Sequence, residues 1–211
     1  QLDTSGDSLG TERTVFDGAS STGTTLFVTG AKARGGNLLC AFNIDAGAEM
    51  GTYRSTDGGT TWGSRTNMVE ADADWAIMFP GNEADTQDMW ALYFDASANE
   101  LTLKVHDDSA NTNSESASIA TIVEHTTEPL NRYPFAGAIR HSDRHLIVAL
   151  FTEFDTATAD FRVFDINGTG SISEKTAIVS NMDDMANPSV YIDNGTDEIY
   201  VGNIGKIDGT E

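Results

Sequence analysis

Apolar residues along this chain come in short runs, not at helical spacing. Thr25-Leu26-Phe27-Val28, Trp90-Ala91-Leu92-Tyr93-Phe94, Leu146-Ile147-Val148-Ala149-Leu150-Phe151 and Glu198-Ile199-Tyr200-Val201 are each bounded by Gly, Asn, Asp, Ser or Thr. Runs this short, rich in β-branched and aromatic residues, predict strands. Arg34-Gly35-Gly36-Asn37, His141-Ser142-Asp143-Arg144 and Asn194-Gly195-Thr196-Asp197 each lie between two such runs. Gly and Asn there supply the positive φ that tight hairpins need. The pattern predicts an all-β, antiparallel fold.

The runs also repeat. The strongest strands begin near Leu38, Met89, His145 and Glu198, at spacings of 51, 56 and 53. Each is preceded across a hairpin by another strand, over 26–30, 75–79, 135–140 and 189–192. Each of the first three is followed by two less apolar strands, which in the third unit cover 160–164 and 172–179. Four antiparallel strands repeated at about 50 residues is the signature of a β-propeller blade. A β-sandwich also spaces strands at about 8–12 residues, but it predicts no echo at this longer period. The reading is a propeller with blades over 19–70, 71–126 and 127–181, half a blade over 182–211, and 11–18 as the last strand of a preceding blade. About three and a half blades leave open strand edges, which proteins avoid. Further blades of a longer polypeptide, or other subunits, are therefore expected to cover them.

Charge narrows the partners. The 211 residues carry 12 Lys+Arg against 33 Asp+Glu, a net charge of −21. With no basic stripe to displace counterions, a nucleic acid is not the expected partner. No apolar run approaches the roughly 18–20 residues of a membrane-spanning helix. Cys40 is the single cysteine and reads as a small apolar residue within 38–42. The chain starts at Gln1 without an initiator Met or a signal peptide, so it reads as processed or as a fragment.

One motif is specific. Ser55-Thr56-Asp57-Gly58-Gly59-Thr60-Thr61-Trp62 fits Ser-x-Asp-x-Gly-x-Thr-Trp at every specified position. Asp57 can accept hydrogen bonds from the backbone of its own turn, Gly58 and Gly59 permit the reversal, and Trp62 is expected to plug the blade core. A worn copy, Asp165-Ile166-Asn167-Gly168-Thr169-Gly170-Ser171-Ile172, follows 110 residues later, twice the repeat. No copy is recognisable between them, near 106–113. The motif resembles the Asp-box of the sialidase (BNR-repeat) superfamily, whose members are β-propellers and in which the box is structural. Ser55, Asp57, Gly59, Thr61 and Trp62 are its structural residues here. Asp165, Asn167 and Thr169 also resemble the first half of a calcium loop. Thr176 stands where its bidentate Glu belongs, so no cofactor is expected beyond a possible calcium.

The resemblance implies a functional face made by the loops entering each innermost strand and those joining the second strand to the third. On it lie Asp72, Asp74, His125, Arg132, Tyr133, Glu153 and Asp183. A sialidase would grip its substrate carboxylate with three arginines and use a Tyr nucleophile paired with a Glu, plus an Asp acid/base. Tyr133, Glu153 and Asp74 can be cast in those catalytic roles. Arg132, His125, Asp72 and Asp183 are candidate ligand contacts. The chain departs from the family elsewhere: the Arg-Ile-Pro signature is absent, and Arg34, Arg140 and Arg144 fall in hairpins of the opposite face. A charge of −21 would also repel an anionic sugar. His141 and His145 flank a turn and read as surface residues, and Trp75 and Trp90 read as core.

The favoured expectation is a non-catalytic propeller module for glycan or protein recognition. Its surface, rich in Asp, Thr, Ser and Asn, suits a secreted, cell-surface or virion protein. The alternative is a sialidase-type glycoside hydrolase completed by residues outside this chain. A pure assembly component, packed against copies of itself through open blade edges, is a third.

Overall fold

A computed structural model describes residues 2–3, 8–9, 12–15, 28–43, 50–64, 66–67, 73–81, 88–95, 98–122, 134–152, 159–168, 170–175 and 179–207. Every regular element among them is a strand. A short hairpin of β1 (Leu2–Asp3) and β2 (Ser8–Leu9) comes first. The first blade is β3 (Val28–Lys32), β4 (Leu38–Asn43), β5 (Met50–Ser55) and β6 (Thr66–Asn67), hydrogen-bonded in that order. The second is β7 (Ala73–Pro80), β8 (Met89–Asp95), β9 (Glu100–Asp107) and β10 (Thr112–Thr121). The third is β11 (Phe135–Ile139), β12 (Leu146–Phe151), β13 (Ala159–Ile166) and β14 (Ile172–Glu174). β15 (Val179–Asp193) and β16 (Glu198–Ile207) form the inner half of a fourth. All pairings are antiparallel, and the innermost strands follow one another, β3 against β7, β7 against β11 and β11 against β15.

The longest apolar runs mark the second strands of blades two and three because those strands are buried on both faces. Along β8, Met89, Ala91 and Tyr93 pack against Leu39 and Ala41 of the first blade. The alternating residues Trp90, Leu92 and Phe94 pack against Leu146, Val148 and Leu150 of the third. β12 repeats the arrangement, sending Ile147, Ala149 and Phe151 to Val190, Ile192 and Val201 of the fourth. Side chains alternate along a strand, so a strand sandwiched between two neighbours must be apolar at every position. Each such large side chain, fully buried, contributes roughly 1.5–3 kcal/mol. The core is thus three seams between blades.

Two boundaries differ from expectation. Residues 12–15, inside the strand expected over 11–18, carry no strand. The fourth strand of blade three ends at Glu174, and Val179 begins β15, whose first residues pair with β13 (Phe161↔Val179, Ala159↔Met182) before it becomes the innermost strand of blade four. One strand therefore serves two blades, an arrangement that a period measured on apolar runs does not reveal.

Candidate functional site

Strand register makes Lys32, Pro80, Ile139 and Ile192 equivalent, each near the hairpin end of its innermost strand. Four residues earlier, at the opposite end, stand Val28, Ala76, Phe135 and Pro188. These four, with Thr29, Ile77, Ala136 and Asn187, line a cavity of about 350 Å³. Four stretches far apart in sequence thus converge on one central depression. Backbone geometry aims two of them: Trp75 (φ 47°) and Asn187 (φ 49°) occupy the same level and are left-handed. Each sits at a one-residue register shift, between Asp74↔Phe94 and Ala76↔Tyr93 in β7 and between Ala186↔Ile204 and Ser189↔Gly202 in β15. Such bulges bend a strand and re-aim its side chains, and a non-glycine residue at positive φ is uncommon. Pro188 is tolerated there because the shift leaves its nitrogen without a ladder partner. Between the first two innermost strands, the Met78 amide donates to Thr29 Oγ1 at 3.0 Å.

Sequence reasoning placed its candidates on the loops around this mouth. Asp74 is in β7, two residues before Ala76, and Asp183 is in β15, paired with Lys206. Asp72, His125, Arg132, Tyr133 and Glu153 lie outside the described residues. Among the described lining residues none is charged.

The hairpin face carries turns and ion pairs. Ser55 Oγ donates to Asp57 Oδ1 (2.8 Å) and accepts from the Gly59 amide (2.9 Å). Thr61 donates its amide to Asp57 Oδ1 (2.9 Å) and its hydroxyl to Oδ2 (2.7 Å). These donors, Thr61 first, pull the Asp57 carboxyl down to about 2. Gly58 (φ 71°) and Gly59 (φ 89°) make the reversal in the left-handed region. Trp62 does not fill the blade core: it is half-buried over Gly59, and its indole N–H has no hydrogen-bond partner. It stands in the turn between β5 and β6, one residue before the Gly63 amide donates to the Arg54 carbonyl at 2.8 Å.

The second copy keeps the bond from the Ser171 amide to Asn167 Oδ1 (2.9 Å), as Thr61 donates to Asp57. Register shifts it by one residue, because Ser55 pairs with Leu38 whereas Ile166, not Asp165, pairs with the equivalent Leu146. Asp165 therefore does not cap its turn. Its carboxylate meets His145 Nδ1 at 2.5 Å, Arg140 at 3.2 Å and Lys175 at 3.3 Å. Burial alone would raise its pKa, but the bonds from His145 and Lys175 outweigh it and hold the group below the usual carboxylate range. A calcium ion would have to displace these partners, and Thr169 lies outside the described residues. His145 is thus part of this ionic cluster rather than a bare surface residue.

Sequence reasoning missed a clamp between the first two blades. Asp108, in the β9–β10 turn, is fully buried and meets Arg54 Nε at 2.5 Å, Arg54 Nη2 at 3.1 Å and Asn37 Nδ2 at 2.5 Å. Burial pushes its pKa up, but Arg54 and Asn37 outweigh this and leave it lowered. Beside it, His106 is fully buried, with Nδ1 at 2.9 Å from Asn113 Oδ1. Desolvation pulls the His106 pKa down. The one available signal was the Asp107-Asp108 pair standing where the second Asp-box copy should have been.

No protein-family model and no curated protein matches the chain. Solved structures do. A Penicillium chrysogenum α-L-arabinanase complexed with arabinobiose superposes with a TM-score of 0.57 at 14% identity, over 84% of this chain and 57% of that one. A Fusarium graminearum α-L-arabinofuranosidase gives 0.50 at 13%, over 79% and 52%. A leech intramolecular trans-sialidase gives 0.52 at 14%, over 79% and 27%. The chain thus spans about half the length of the first two. The fold is a sialidase-like β-propeller of four-stranded antiparallel blades, present in part.

Proposed function

We propose that the chain is a non-catalytic recognition module that holds a neutral glycan at the mouth of its central depression. The observation that carries the reading is the lining: Val28, Ile77, Phe135 and Pro188 offer apolar and aromatic surface, and Thr29 and Asn187 offer polar groups, with no charge among the described lining residues. A volume of about 350 Å³ lies within the range of small-ligand sites. The similar structures named for arabinose- and sialic-acid-containing substrates support a carbohydrate ligand, and the charge of −21 favours a neutral one. Exposure to the outside of a cell or virion belongs to the same proposal.

A second reading, a glycoside hydrolase completed outside this chain, is favoured by one observation: Asp74 directly precedes the bulge at Trp75 that aims β7 at the cavity. Calorimetric titration with arabino-oligosaccharides, alongside turnover assays on aryl arabinofuranosides and sialosides, separates the two. Binding without turnover is expected. Turnover abolished by Asp74→Asn would overturn the first reading, and absence of both binding and turnover would remove the carbohydrate assignment.

A further inference from the structure

The innermost strands lend the depression their main chain. At the level of the cavity each is hydrogen-bonded along one edge only, to the second strand of its own blade, so its other edge is open. Along an antiparallel pair, residues that bond to the partner strand alternate with residues whose N–H and C=O point the opposite way. Three bonds set that phase: the Ala33 amide donates to the Asn37 carbonyl (2.8 Å), the Phe151 amide to that of Pro134 (2.9 Å) and the Arg140 amide to that of His145 (2.8 Å). Val28 and Gly30 in β3, and Phe135 and Gly137 in β11, therefore turn their main chain to the open edge. β7 shows where that edge leads. The Met78 amide donates to Thr29 Oγ1 of blade one (3.0 Å), and the Pro80 carbonyl accepts Arg144 Nη2 from blade three (3.1 Å). Ala76 shares this inward phase with Met78 and Pro80. Pro188, equivalent to Ala76 by register, fits it too because proline has no amide hydrogen to give a ladder.

The carbonyls of Val28, Ala76, Phe135 and Pro188 thus face the depression that these residues line. The Phe135 amide faces it as well, since the Pro134 carbonyl of the same planar peptide points at Phe151. Thr29 Oγ1, having accepted the Met78 amide, keeps its own hydrogen. Among the described residues no group takes these up. Main-chain groups left open in this way are satisfied by water or by a ligand. We infer that the depression reads its glycan through this main-chain rim, and so selects a sugar unit whose ring hydroxyls are free to donate. The inference rests on the neutral-glycan reading of the same cavity and specifies what is recognised in that glycan. A hydroxyl seated on the rim gives its hydrogen to a carbonyl and accepts one from Phe135 or Thr29. Pro188 contributes an acceptor with no donor beside it, so the group against it must donate. An O-methyl or O-acetyl oxygen offers only lone pairs there and would strand a desolvated carbonyl.

No side-chain substitution removes a main-chain carbonyl, so the ligand is varied instead. Calorimetric titration of the 211-residue protein compares an arabino-oligosaccharide with its deoxyfluoro analogues, in which a hydroxyl becomes a fluorine that cannot donate. Replacing a hydroxyl on the rim is expected to weaken binding about three- to tenfold, and O-methylation at the same position by at least as much. By NMR, the carbonyl-carbon shifts of Ala76, Phe135 and Pro188 are expected to move on saturation, and hydrogen exchange at the Phe135 amide to slow about tenfold. Binding with every analogue within about twofold of the parent sugar, or binding that leaves those three carbonyl shifts in place, would overturn the rim while the glycan reading stands. A parent sugar that does not bind at all would overturn both.

Discussion

Removing Arg54 isolates a single term in the stability of the first seam. Asp108 is fully buried, and two of its hydrogen bonds come from the Arg54 guanidinium, at 2.5 and 3.1 Å. Arg54→Met keeps the stem but leaves a buried carboxylate with the Asn37 hydrogen bond and His106 Nε2 at 3.9 Å, while Asp88 Oδ1 accepts the Asp108 amide at 3.3 Å. Breaking one side of a buried ion pair costs about 3–5 kcal/mol. Arg54 is 26% exposed, so water replaces part of the lost interaction and the lower end, about 3 kcal/mol, applies. With a urea m-value of roughly 3 kcal/mol/M for a chain of this size, the unfolding midpoint falls by about 1 M. Adding Asp108→Leu removes the stranded charge and is expected to recover most of the loss. The pH dependence gives a second check. Asp108 has a lowered pKa, so its contribution is present above the unfolded carboxylate value and is lost as pH falls through the lower folded one. In Arg54→Met burial raises the Asp108 pKa instead, and protonation relieves the variant. The stability gap should therefore narrow between pH 7 and about pH 4. A midpoint within 0.2 M of wild type, or a double variant less stable than Arg54→Met, would refute the reasoning.

Further expectations concern the Asp57 turn and three glycines. Asp57→Ala should speed hydrogen exchange at the Thr61 amide, which donates to the Asp57 carboxylate, more than at the Gly59 amide, whose acceptor is Ser55 Oγ, and in wild type the Asp57 carboxyl should titrate near 2 by NMR. Because that pKa is lowered, its stabilising effect is lost only as pH falls below the ordinary carboxylate range. Gly59→Ala forces a left-handed alanine (φ 89°) with its Cβ 3.3 Å from Leu38 Cδ1, whereas Gly36→Ala (φ 104°) meets nothing within 4 Å. Both should cost about 1–2 kcal/mol for the backbone, with Gly59→Ala the worse by urea midpoint. Gly81→Ala would press a Cβ to 2.4 Å from the Trp90 ring, which is 1% exposed, and should destabilise by about 1–3 kcal/mol in the same assay.

The sheet pattern was legible in the sequence because burial on both faces leaves a blunt mark. β8 and β12 are sandwiched between blades, so their unbroken apolar runs could be found and counted. The Ser55–Trp62 turn was legible because its hydrogen bonds run between side chains and amides only four residues apart. Asp165 was misplaced because alignment by residue type cannot see a register shift of one, and strand pairing alone decides which residue caps the turn. Trp62 was expected in the core because a tryptophan ordinarily seeks burial, yet it stands in the turn between β5 and β6 with its ring beside Gly59. The Arg54–Asp108 clamp joins residues 54 positions apart in different blades, and no local pattern records such a pairing. The cavity wall was legible only as four equivalent strand starts, whereas the bulges at Trp75 and Asn187 that aim two of them carry no glycine to betray the left-handed backbone.

Chemical-shift mapping with a neutral arabino-oligosaccharide tests the central claim most directly. If four innermost strands converge on one glycan-binding mouth, amide shifts should move together at Val28, Ala76, Phe135 and Asn187, four positions remote in sequence. Shifts confined to the hairpin turns at Asp57, Asp108 and Asn194, or to one blade alone, would contradict it.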